Sequence, residues 1–162
     1  MAISIKTADQ IQAMREAGKL AAEVLQMIEP FVVPGVTTDE LDRRCNEHIV
    51  NKQQAIPANV GYRNFPKTIC SSVNHVVCHG IPVSKVLVKG DIINIEVTVI
   101  KNGYHGDTSR MYFVGEPSIL ARRLVEVTFK AMWVGIHAVR PGGNLRDVGR
   151  AIQTFAESHR FS

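Results

Sequence analysis

Two acidic residues in the segment Gly90–Gly115, GDIINIEVTVIKNGYHGDTSRMYFVG, stand where strand periodicity brings them together. Asn102-Gly103 separates two alternating apolar runs, a strong hairpin signal, because a type I′ turn needs positive φ at both central positions. Counting outward from that two-residue turn pairs Lys101 with Tyr104, Val99 with Gly106 and Thr98 with Asp107. Asn94, Glu96 and Thr98 then share one face, and Ile93, Ile95, Val97 and Val99 share the other, so Glu96 is a diagonal neighbour of Asp107. Carboxylates inside an apolar sheet are costly unless they are paired or hold a cation. Two readings follow: a metal site built on Glu96 and Asp107, or a polar hairpin face turned to solvent. Both assume a ladder without a bulge, since one extra residue would send one acid to the opposite face.

A second candidate is CHGIP, Cys78 to Pro82, where Gly80 and Pro82 would fix a rigid turn. Such a turn can hold the imidazole of His79 over a site as general acid-base or as hydrogen-bond donor to a substrate. His48, His137 and His159 fall in helical patterns and read as structural, and His75 carries no pattern of its own. His105 is placed on the hairpin face opposite Asp107 and is not counted as a ligand. Cys70 and Cys78 read as small buried hydrophobes rather than nucleophiles, because no readable pattern puts a base beside either.

Helices must frame this sheet. Thr7-x-x-Gln10 is a capping-box signature ahead of Ile11, Met14, Ala17, Ala21, Val24, Leu25 and Ile28 at helical spacing, and Pro30 closes the run. After Pro34-Gly35, Thr37 caps a second helix with Leu41, Cys45 and Ile49 on one face. From about Tyr62 to Val114 the period changes to two, which predicts sheet. Ser118 then opens a third helix and, beyond Pro141-Gly142, Asn144 caps a fourth. The segments VVPGVTTDEL and AVRPGGNLRDV align at Pro34 and Pro141, each lying between two apolar helices. This suggests a duplicated unit whose second copy reaches Ser162 before its strands.

The 162 residues suffice for one domain burying roughly 70% of its unfolded surface. A hydrophobic share of 45% and a charged share of 21% are ordinary for a globular chain. No apolar run approaches the roughly 20 residues of a membrane span, and MAISIKTADQ is no signal peptide. A cytoplasmic protein with reduced thiols is therefore expected, since three cysteines without finger spacing suggest neither disulfides nor a zinc ribbon. The net charge of +4 includes no basic stripe interleaved with aromatics, so sequence-specific nucleic-acid binding is not predicted.

The stretch GYRNFPKTICSSVNHVVCHGIP and the hairpin INIEVTVIKNGYHGDTS together resemble the N-terminal part of bacterial type I methionine aminopeptidases, over the whole chain. The resemblance implies an α+β fold, the first half of the duplicated pita-bread architecture plus the opening helices of the second, here within one incomplete domain spanning 1–162. It implies removal of N-terminal methionine from nascent chains by two divalent metals (Mn, Fe, Co or Zn) held by five side chains. Glu96 and Asp107 match the two hairpin ligands; the remaining His and two Glu belong to the family's second half. His79 matches the substrate-contacting histidine, while Asn59, Tyr62, Phe65 and Cys70 match the methionine side-chain pocket. The family has Asp where Glu96 stands, commonly Cys at Asn59, and in some members a hydroxyl that Phe65 lacks. Weak metal binding and no catalysis by this chain alone are expected. The alternatives are a non-catalytic half-protein that binds nascent peptides or the ribosome, and a half-fold that self-associates as a homodimer.

Overall fold

Asn102 at φ 51° and Gly103 at φ 80° make the tight turn that joins β3 (Ile92–Lys101) to β4 (Tyr104–Phe113). The ladder runs without a bulge from Ile92↔Phe113 to Lys101↔Tyr104, and it includes Thr98↔Asp107 and Val99↔Gly106. β3 is the hub of an antiparallel four-stranded sheet. β2 (Ile69–Val73) pairs with it from Ile69↔Val97 to Val73↔Ile93, and β1 (Ile56–Pro57) pairs at Ile56↔Ile100 and Pro57↔Val99. This is a computed structural model, and it describes residues 3–162.

The odd-numbered face of β3 makes the core: Ile93, Ile95, Val97 and Val99 are fully buried. Removing each from water contributes about 1.5–3 kcal/mol. They join one cluster with Ala21, Val24, Leu25 and Ile28 of α1 (Ala8–Ile28) and with Leu41 and Cys45 of α2 (Thr38–Glu47). The strand and helix periods thus meet face to face. Tyr112 of β4 is buried there too, its hydroxyl donating to Leu25 O at 2.7 Å. Helix and sheet pack tightly at Gly106, where a Cβ would lie 2.1 Å from Ala17 O and 2.4 Å from Gly18 N. Only glycine fits, so the backbone of α1 rests directly on β4.

The helix starts follow the sequence. Thr7 and Gln10 form the capping box of α1, and Thr37 accepts from Glu40 N at the head of α2. α3 (Ile119–His137) begins at its Ser118 cap, and α4 (Leu145–Ser158) at an Asn144–Asp147 capping box. The order helix, Pro-Gly turn, capped helix occurs twice, with Gly35 and Gly142 both left-handed at φ 95° and 73°. Contacts divide the chain into one unit ending at Pro117 and another from Ser118 to Ser162. In the second, α3 and α4 approach closely at Gly135, where a Cβ would lie 2.6 Å from Ile152 Cδ1.

The expected sheet between about Tyr62 and Val114 is interrupted. Residues 74–91 contain no named strand and are held by polar contacts: Asp91 accepts from Asn74 Nδ2 at 2.8 Å and Val88 N at 3.0 Å, and Thr38 exchanges hydrogen bonds with Val83. Short β1 lies before the expected stretch, because a two-residue strand ending in proline has no period to read. Among the described residues, no helix is long and apolar enough to cross a membrane.

Candidate active site

One face of the hairpin, even-numbered on β3 and odd-numbered on β4, lines a cavity of about 720 Å³ with Glu96 and Thr98 from β3 and His105 and Asp107 from β4. Glu96 and Asp107 therefore share a face, as an unbulged register requires. His105 corrects the sequence reading. It had been placed opposite Asp107, but residues two apart on a strand point the same way, and His105 lines the same cavity.

A second part of the lining is the turn from Asn59 to Phe65. Gly61 N donates to Phe65 O, Tyr62 N to Asn59 O and Phe65 N to Tyr62 O, at 2.9–3.0 Å. Gly61, Arg63 and Asn64 all have positive φ, which coils this segment tightly. Asn59 is fixed by donating from Nδ2 to Thr68 O at 3.1 Å. Asn59, Tyr62, Arg63 and Phe65 all line the cavity.

His79 and Cys70 complete the lining. His79 sits at φ 53°, and Gly80 behind it is clamped to β2: Ser71 N donates to Gly80 O at 2.7 Å, and Gly80 N to Ser72 Oγ at 3.2 Å. A Cβ on Gly80 would lie 2.2 Å from Ser71 O, so this approach also demands glycine. The expected rigid turn exists, and its rigidity comes from the strand beneath it. Cys70 is paired with Glu96 across β2 and β3. Its thiol is pushed up to about 12, first by burial and then by the charge of Glu96 and a hydrogen bond to it. It therefore stays a protonated donor and not a nucleophile. Cys78, expected to be buried, is exposed.

Burial alone does not make the acidic pair a metal site, because Glu96 is half-buried and Asp107 exposed. Charge argues more strongly. Neither carboxylate meets a Lys, Arg or His within ion-pair distance among the described residues, although both face one cavity. Hard carboxylate oxygens without a counter-charge suit a divalent cation as part of its shell. They are only a part, since no group of three or more His, Cys, Asp or Glu able to hold a metal occurs among the described residues. Ala58 and Arg63 also line the cavity without a sequence signal: Arg63 stands inside the GYRNFP motif, but a loop has no period to show which way a side chain faces.

Residues 12–162 match the model of metallopeptidase family M24. The chain is 57% identical over its whole length to the methionine aminopeptidase of Escherichia coli K12, and it spans 62% of that relative. A crystal structure of methionine aminopeptidase from Rickettsia prowazekii superposes with a TM-score of 0.96 at 54% identity, covering 98% of this chain and 63% of that one. The enzyme from Thermotoga maritima gives 0.93 at 36% identity, with 98% and 64% covered.

Proposed function

We propose that this chain, which belongs to metallopeptidase family M24, forms the methionine-binding half of a cytoplasmic methionine aminopeptidase site. Its fold is α+β, half of the pita-bread architecture. The reading rests on one observation: Glu96 and Asp107 from adjacent strands share a cavity with His79 and the Asn59–Cys70 wall.

Glu96 and Asp107 are the chain's own ligands for the divalent metals of the family. Metals bound there supply Lewis acidity and a water acidified for attack on a peptide carbonyl. Glu96 carries one methylene more than the family's Asp, so its oxygens reach further from β3, beside Cys70, its cross-strand partner on β2. His79, held by the Gly80 clamp, is placed to hydrogen-bond the substrate backbone. Tyr62 and Phe65 offer aromatic surface to an unbranched thioether, which packs well against ring edges. Because the Cys70 thiol stays neutral, it adds no charge to a pocket that receives an apolar side chain.

Two carboxylates are too few for two adjacent cations. The 162 residues by themselves bind metal weakly and release no methionine. Purified chain incubated with Met-Ala-Ser and Mn, Fe, Co or Zn in turn is expected to yield no free methionine, while calorimetry detects weak metal uptake that Asp107→Ala abolishes. Methionine release that disappears in Asp107→Ala would overturn the inactivity, and metal uptake indifferent to that substitution would overturn the site.

A second reading, a non-catalytic binder of nascent chains at the ribosome, is favoured by charge. From Ser118 onward seven Lys and Arg stand against three Asp and Glu, while up to Pro117 there are twelve of each, so the whole net charge of +4 lies in the α3–α4 unit. A surface of that sign suits the phosphates of ribosomal RNA. Co-sedimentation with ribosomes that falls steeply with salt, without peptide cleavage, would support it.

A further inference from the structure

Resting on the methionine-binding reading above, we infer that Arg63 selects peptides with an acidic side chain a short way beyond the N-terminal methionine. Arg63 lines the same cavity as Glu96 and Asp107, yet among the described residues no ion pair joins it to either. Its guanidinium has no carboxylate partner among the described residues. Its recorded neighbour is the face of Tyr62, 5.5 Å from the ring centroid, a contact that orients a cation without neutralising it. The backbone beneath is fixed: Arg63 itself is at φ 49°, inside a turn closed by Gly61 N to Phe65 O at 2.9 Å.

A peptide entering such a cavity meets charges of both signs in its lining, the Arg63 guanidinium on the Asn59–Phe65 turn and the Glu96 and Asp107 carboxylates on the hairpin. The α-ammonium group is attracted toward the carboxylates of Glu96 and Asp107. The chain that leads away from the amine is then free to bring a side chain toward Arg63. A carboxylate there gains a partner, whereas a lysine meets a like charge. Arginine suits this task because it stays charged and offers a planar fork of donors to a carboxylate. The contact is exposed to solvent, so the selectivity is modest, about two- to fivefold in affinity, the range of surface ion pairs.

The test is calorimetric titration of the 162-residue chain with two C-terminally amidated peptides, Met-Ala-Asp and Met-Ala-Asn, which differ only in charge. Met-Ala-Asp is expected to bind about two- to fivefold more tightly, and the ratio should fall toward one in Arg63→Gln and be retained in part by Arg63→Lys. Wild-type chain supplies an independent check, because raising salt from about 20 to about 500 mM should shrink the ratio as the Debye length contracts. Equal binding of both peptides, a ratio that survives Arg63→Gln, or one indifferent to salt would each overturn the role of Arg63 and leave the methionine-binding reading standing. Failure of both peptides to bind would overturn that reading and this inference together.

Discussion

Asp42 is a buried carboxylate on the inward side of α2, accepting from Thr68 N at 2.8 Å and Ile69 N at 3.0 Å through one oxygen. Burial raises its pKa, and the two amide hydrogen bonds offset that only in part. Between the ordinary carboxylate value and this raised one, the folded chain holds a proton that the unfolded chain has lost. Stability from this group is therefore full at low pH and declines as pH rises through that window. Asp42→Asn keeps an acceptor for both amides and removes the titration. Denaturant midpoints measured from pH 4 to 7 should show the variant gaining on wild type as pH rises, and a constant gap would contradict the burial argument. The sequence does not reveal Asp42, because an acid beside Leu41 in a helix looks like the start of its solvent face. Glu96 and Asp107 were legible for the opposite reason: strand parity and a two-residue turn leave little freedom. The same parity places His105 beside them.

At the scale of elements, what fixes His79 is the contact of its loop with β2. Gly80→Ala would set a methyl group against Ser71 O, and the loop must lift to relieve it. Affinity for methionine peptides should fall about tenfold or more while the urea midpoint moves less, because the core cluster includes neither His79 nor Gly80. Unchanged peptide affinity in Gly80→Ala would show that His79 takes no part in binding. Asn102-Gly103, the Pro-Gly turns and the four N-caps were readable because each depends on a local backbone demand. The run 74–91 was not, since Asp91, Asn74 and Thr38 organise it through contacts distant in sequence. The wall from Asn59 to Phe65 could be found by motif, but its inward side could not.

On the scale of the whole molecule, the core is unevenly distributed. α4 has no buried residue, and α3 buries only Val127, Ala131 and Gly135. The lone tryptophan, Trp133, belongs to that thinly buried unit, whereas the sheet and its core cluster belong to the other. Tryptophan fluorescence should therefore report an earlier urea transition than circular dichroism in the strand region. Coincident curves would mean that the chain unfolds as one cooperative body. The same unit leaves Leu120, Phe129, Trp133 and Ile136 at 75, 59, 45 and 47% exposure, apolar side chains that a partner surface could cover. Self-association follows as an expectation: light scattering should give a mass that climbs with concentration from micromolar upward, and Phe129→Gln should reduce the climb. A constant monomer mass would exclude the homodimer.

Gly106 lies between His105 and Asp107, facing α1 while they face the cavity. Any side chain there would separate helix from strand and carry both neighbours with it. Selection acting on this chain would therefore hold position 106 as firmly as the residues on either side, though it touches no substrate. In a comparison of homologous chains, invariance at 106 would be a record of packing, whereas constancy of the residue beside it, Asp107, whose side chain lines the cavity, has no such packing demand behind it.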